Sequence, residues 1–250
     1  MPSSSLPTHA LWLGLVVMLD VAQATPFYAP PAPQADTPDW SGEAELGFTR
    51  LTGNTDSQTL LAKGRLTWLS GDLVHSLSGQ ARQVTRDGET SSERYRLALR
   101  ERHDIEGPHY LFGFARWDKD RFGGYDYQLA AIAGYGRRLL DAAPHRLALE
   151  AGPGYRHDSV GAGADRRLGV LYAALDYRGS LAENATVTQE LSLEQTDANL
   201  TARTLSALSA HLNDHLALRI SHEIEHNSRP PADAAALTDH TTGVSLLYDW

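Results

Sequence analysis

Thr59-Leu60-Leu61-Ala62-Lys63-Gly64-Arg65-Leu66-Thr67-Trp68 decides how this chain folds. Leu60, Ala62, Gly64, Leu66 and Trp68 fall on one side of an extended ribbon, while Thr59, Lys63, Arg65 and Thr67 share the other with one apolar intruder, Leu61. Successive side chains of a strand point to opposite faces, so this period of two predicts a strand; a helix would mix the two sets. The pattern continues downstream. Leu73, Leu77 and Ala81 oppose Ser76, Ser78, Gln80 and Arg82, and Tyr95, Leu97 and Leu99 oppose Arg94, Arg96, Arg100 and Arg102. Four arginines on one strand face require water or acids beside them.

The alternation predicts twelve strands over 40–51, 57–69, 73–86, 91–104, 109–118, 124–138, 145–157, 167–179, 184–196, 202–212, 215–227 and 239–250. An even number of antiparallel strands closes into an up-and-down barrel, and a barrel strand crosses a bilayer with only about 9–11 residues of which one face is apolar. The connections fit. If the N-terminus is periplasmic, the inner turns become 70–72, 105–108, 139–144, 180–183 and 213–214, short and rich in Gly, Pro, Asn or Asp. The longest connections, 157–166 and 227–239, then both fall outside.

Composition narrows the class. The 250 residues carry a formal charge of −9 and no cysteine, so disulfides and thiolate metal sites are excluded, and no basic surface recommends nucleic acid as a partner. Beyond the first 25 residues no run approaches the ~18 consecutive apolar residues of a membrane helix. At the start, an apolar run from Ala10 to Leu19 precedes Ala22-Gln23-Ala24, a small-x-small cleavage pattern, so residues 1–24 are expected to be an export signal. Residues 25–39 hold five of the 12 prolines and are expected to form an extended periplasmic lead-in to a single barrel domain over 40–250.

At the other end, Gly243, Val244, Leu246, Tyr248 and Trp250 alternate up to a final aromatic residue and resemble the signature read by the barrel-assembly machinery, an expected partner during biogenesis. Trp68, Tyr110, Phe122, Tyr125, Tyr135, Tyr155 and Trp250 lie near strand ends, where a barrel places its interfacial girdles.

Two short stretches carry a family resemblance: Gly53-Asn54-Thr55-Asp56, and Asp118-Lys119-Asp120-Arg121-Phe122-Gly123-Gly124-Tyr125-Asp126, the latter preceded by Tyr110-Leu111-Phe112 and followed by Gly134-Tyr135-Gly136. Over residues 40–250 the chain resembles the salt-induced outer-membrane proteins, a family of unknown function. The resemblance implies an exported outer-membrane barrel surrounded by lipid and lipopolysaccharide, and supplies no catalytic residue. Asp118, Asp120, Arg121 and Asp126 are expected on an outer loop, either pinning it or holding a divalent cation between lipopolysaccharide phosphates.

His222-Glu223-Ile224-Glu225-His226 matches the zinc-protease pattern H-E-x-x-H. On a strand, however, the two histidines stand ~13 Å apart at ~3.3 Å per residue and cannot share a metal ion. Gly134-Tyr135-Gly136 and Gly152-Pro153-Gly154 match no nucleotide fingerprint and are expected at bends or close approaches of strands. No nucleophile motif stands out; no metal, cofactor or enzyme activity is expected.

If the apolar faces look outward, Lys63, Arg65, Arg82, Arg94, Arg96, Arg100 and Arg102 line one arc of the interior, and Glu150, Glu190, Glu194, Glu223 and Glu225 line another. Such arcs either interlock and close the barrel or straddle water. The favoured reading is a monomeric, narrow or gated channel for small ions or polar solutes, or an envelope protein of salt tolerance. The alternatives are a hydrolase of outer-membrane lipid, a non-conducting structural barrel, and a soluble lipocalin-like binder with its apolar side chains pointing inward.

Overall fold

The alternation is realised as twelve strands in one sheet that closes on itself. The structure, a computed structural model, describes residues 39–51, 56–159, 165–229 and 236–250. The export signal, the lead-in up to residue 38 and Asn54 lie outside the described residues.

The strands are β1 (Trp40–Leu51), β2 (Ser57–Ser70), β3 (Leu73–Arg86), β4 (Glu89–Asp104), β5 (His109–Asp120) and β6 (Tyr125–Ala142). They continue as β7 (His145–Ser159), β8 (Arg166–Ala182), β9 (Ala185–Gln195), β10 (Leu200–His211), β11 (Leu216–Asn227) and β12 (Thr238–Asp249). Each pairs antiparallel with its neighbours in sequence, and β1 pairs with β12, Glu43 standing opposite Asp249 and Gly47 opposite Ser245. Closure satisfies the backbone groups that an open sheet would leave at its edges.

The seam has its own lock. Gly42 and Trp250 exchange backbone hydrogen bonds of 3.0 and 3.1 Å, and the indole of Trp250 lies where a Cβ on residue 42 would stand, 2.1 Å from its ring. Only glycine leaves room there. Between β3 and β4, Asp87 and Gly88 both have positive φ, 49° and 86°, as a two-residue hairpin turn requires.

Sidedness is the reverse of a soluble protein. Leu46, Leu97, Leu171 and Ile220 look outward and are half or more exposed, whereas Arg100, Arg156, Asp158 and Glu194 are buried inside. This excludes the lipocalin-like arrangement. A small apolar cluster does lie within the barrel: Tyr110, Phe112 and Phe114 of β5, Ile132 of β6, and Val170 and Tyr172 of β8. Tyr172 meets Phe114 edge-on at 5.3 Å between centroids and Phe112 at 5.9 Å.

Two expectations are corrected. Tyr110 does not belong to an interfacial girdle: it points inward, fully buried, and its hydroxyl donates to Glu150 at 3.0 Å. Asp118 and Asp120 belong to β5 and Tyr125 and Asp126 to β6, so the outer loop of that stretch shrinks to residues 121–124. The barrel wall extends past the predicted ends because pairing with β4 and β6 continues to Asp120.

Candidate functional site: the barrel lumen

Alternation sends every second residue of each strand inward, and on β4 those residues include Arg94, Arg96, Ala98, Arg100 and Arg102. Their acidic partners come from strands far away in sequence. Arg100 pairs with Glu150 of β7. Its guanidinium also lies 5.0 Å from the ring centroid of Phe112, and that of Arg102 lies 4.2 Å from Tyr110. Arg102 holds Asp104 at 2.7 Å near the turn end.

Midway along the barrel the pairs merge into a layer. Arg96 meets Asp118 at 2.5 Å, and Asp118 also accepts from Arg116 at 2.5 Å. Arg116 spans the lumen to grip Glu194 of β9 with two hydrogen bonds, 2.7 and 3.1 Å. Glu194 further receives Arg203 at 2.5 Å and has Arg156 at 3.9 Å. Arg203 reaches Glu225 at 3.6 Å, and Glu225 accepts from Arg94 at 3.0 Å, which returns the chain of charges to β4. Buried charges persist only when paired and hydrogen-bonded, and this layer meets that condition by linking side chains from six strands.

Two spaces flank the layer. Toward the loop end lies a cavity of about 470 Å³ lined in part by Arg82, Arg86, Arg94, Phe122, Tyr125 and Asp239. Toward the turn end lies one of about 90 Å³ lined in part by Glu43, Glu45, Lys63, Arg65, Glu190 and Arg219. Here Lys63 pairs with Glu223 at 3.1 Å and Glu45 at 3.7 Å, Arg219 reaches Glu45 at 3.0 Å, and Arg65 pairs with Glu43. Arg96 lines both cavities.

The structure therefore places Lys63, Arg65, Arg82, Arg94, Arg96, Arg100, Arg102, Glu150, Glu190, Glu194, Glu223 and Glu225 on the inner face. It does not keep the charges in two separate arcs. Arg116, Arg156, Arg203 and Arg219 stand among the acids, and Glu43, Glu45 and Asp118 stand among the bases. Those residues are additions to the predicted lining; Arg116 and Asp118 were detectable as the i and i+2 continuation of the Tyr110, Phe112, Phe114 face.

The β5–β6 stretch pins its own turn. Asp120 accepts from Arg94 and from the backbone N–H of Phe122 at 2.9 Å, and Arg121 pairs with Glu93 at 2.7 Å in an exposed position. His222 and His226 face outward, bonded to Thr242 and Thr238, while Glu223 and Glu225 face inward, so the H-E-x-x-H residues straddle the sheet and form no common site. Leu246, Tyr248 and Trp250 project outward from β12, and Gly243 lies beside Ser221 on the same strand pair.

A closed antiparallel barrel with an apolar outer belt and a charged interior has the build of an outer-membrane β-barrel protein. The chain belongs to the family described as "Protein of unknown function, DUF481", whose model matches residues 44–250. It is 34% identical over 209 residues to the uncharacterized protein YdiY of Escherichia coli (strain K12), covering 84% of this chain and 82% of that one. Among solved structures it is similar to the COG4313 outer membrane channel from Pseudomonas putida F1, at 10% identity and a TM-score of 0.53, with 89% of this chain and 100% of that one covered. It also superposes on the translocator domain of autotransporter NalP from Neisseria meningitidis at 13% identity and a TM-score of 0.47, covering 86% and 89% of the two chains. At such identities the likeness concerns the fold.

Proposed function

We propose that this protein is a narrow, gated channel of the bacterial outer membrane for small ions and polar solutes, drawn in its closed state. The observation that carries the reading is the pair of lumen cavities, about 470 and 90 Å³, that share Arg96 as a lining residue. What separates them is a layer of side chains with rotatable bonds, so opening requires rotamer changes and re-pairing of charges and leaves the backbone hydrogen bonds intact. Arg96 has the means, since Asp118 on one side and Glu225 beyond Arg203 on the other are alternative acids for a swinging guanidinium. Arg116 and Glu194 form the crossbar, and the remaining predicted lining residues set the field that a solute meets.

The apolar belt would sit among acyl chains, with lipopolysaccharide at the loop end and the N-terminus in the periplasm. A contribution to envelope salt tolerance follows as the physiological side of the same reading. The test is planar-bilayer recording of refolded protein: discrete conductance steps support the channel, and their absence in wild type and in an Arg116→Ser/Glu194→Ser double variant alike contradicts it.

A further inference from the structure

Asp176 and Glu190 stand apart from the ion-paired acids of the lumen wall. They stand directly opposite each other on β8 and β9. Glu190 is only 3% exposed and borders the smaller cavity. Glu45, Asp118, Glu150, Glu194, Glu223 and Glu225 each hold an arginine or lysine, but neither of these two forms an ion pair among the described residues. Oδ2 of Asp176 and Oε2 of Glu190 are buried and accept no hydrogen bond from any protein group. Their register partners on the far sides, Ala148 of β7 and Leu205 of β10, have no side-chain donor to give.

Two neighbouring buried carboxyls that share no direct ion pair do not both ionise; one keeps its proton and donates it to the other. A single bridging proton supplies the missing donor and removes one of the two charges. We propose that Asp176 and Glu190 form a proton-binding site in the lumen wall, holding one proton between them at neutral pH, and that its occupancy sets the charge of the inner cavity.

The charged groups acting on the pair are Glu150 on β7, Arg178 on β8, Arg65 on β2, Arg100 and Arg102 on β4, and Arg219 on β11. The arginines stay charged throughout, and Glu150 is held by Arg100 and Tyr110, which leaves the pair as the part of this wall that changes charge. The inner cavity sets Lys63, Arg65, Arg96 and Arg219 against Glu43, Glu45 and Glu190. With Glu190 neutral the cationic excess favours small anions, and loss of the proton weakens that preference. This last step rests on the channel reading.

Infrared spectroscopy of the refolded full-length barrel tests the site directly. Wild type is expected to show the C=O stretch of a protonated carboxylic acid, shifted in D2O and lost at alkaline pH, and the nearly isosteric Asp176→Asn and Glu190→Gln are each expected to abolish it. Absence of the band in wild type, or its persistence in both variants, overturns the proposal. If either amide variant does not fold, Glu190→Asp keeps both acids and must move the midpoint at which the band titrates; an unmoved midpoint counts against the assignment. A wild type without the band whose thermal stability rises in sodium chloride but not in choline chloride would assign the site to a metal cation instead. In a bilayer under a salt gradient, acidification should shift the reversal potential toward that of the anion, with Glu190→Gln fixed at the acid value. A barrel that never conducts removes the channel reading and leaves the infrared result standing.

Discussion

Glu194 is the residue on which the interior depends most. It is buried, and it holds Arg116 and Arg203 with Arg156 close by. Removing its charge leaves Arg116, Arg203 and Arg156 to Asp118, Glu225 and Asp158 and the buried layer one acid short, and breaking a buried pair costs about 3–5 kcal/mol. Glu194→Gln should therefore lower the urea-unfolding free energy of the barrel in lipid vesicles by about that amount. Arg121 makes an equally short contact with Glu93 but is 59% exposed, so Arg121→Ala should change the same measurement by less than about 1 kcal/mol. Equal effects would contradict the burial argument. At this scale the sequence told which side of a strand a charge occupies, as for Arg94, Arg96, Arg100 and Arg102, because their outward neighbours are Tyr95, Leu97 and Leu99. It did not tell partners: that Arg116 meets Glu194 depends on the curvature of the closed sheet, which brings β5 across to β9.

Within the strands, the two faces differ in what they tolerate. Leu97 sits near the middle of β4 and points outward, so Leu97→Arg should cost about 2–4 kcal/mol in vesicles if that face meets the bilayer interior, again by urea unfolding. No loss would contradict a lipid-facing belt. Between β6 and β7 the backbones come so close that a Cβ at residue 134 would stand 2.2 Å from the carbonyl oxygen of Ala151, and one at residue 152 would stand 2.1 Å from that of Ala133. Gly134→Val is accordingly expected to abolish the heat-modifiable gel shift of the folded barrel, whereas Gly169→Val, with open space at its Cβ, should retain it. The Gly-rich stretches were legible as a strand feature, and their close approach needed the structure. The strand that was hardest to read is β5, since Tyr110, Phe112 and Phe114 line its inner face while Leu111 and Ala115 lie outside. With both faces apolar the polarity signal vanishes, which is why Tyr110 looks like a girdle residue and Asp118 like part of a loop.

The whole molecule is a lipid-compatible shell around an interior that is cross-linked by charge. Closure was legible because an even set of alternating strands joined by short turns has one low-cost arrangement, with the first strand beside the last, and Trp250 over Gly42 completes it. Whether the interior is open was not legible, because the same arginines and glutamates serve an aqueous pore or an interlocked plug. The structure resolves this into a layer between two cavities that share Arg96. A gate made of side chains opens in the wild type and opens wider when its crossbar is cut, whereas a plug that is only structural leaves the wild type silent. Single-channel recording of wild type beside Arg116→Ser/Glu194→Ser is the most direct measurement. The account predicts brief, small openings in wild type and a severalfold larger, longer-lived conductance in the double variant; a correctly folded double variant that passes no current would contradict it.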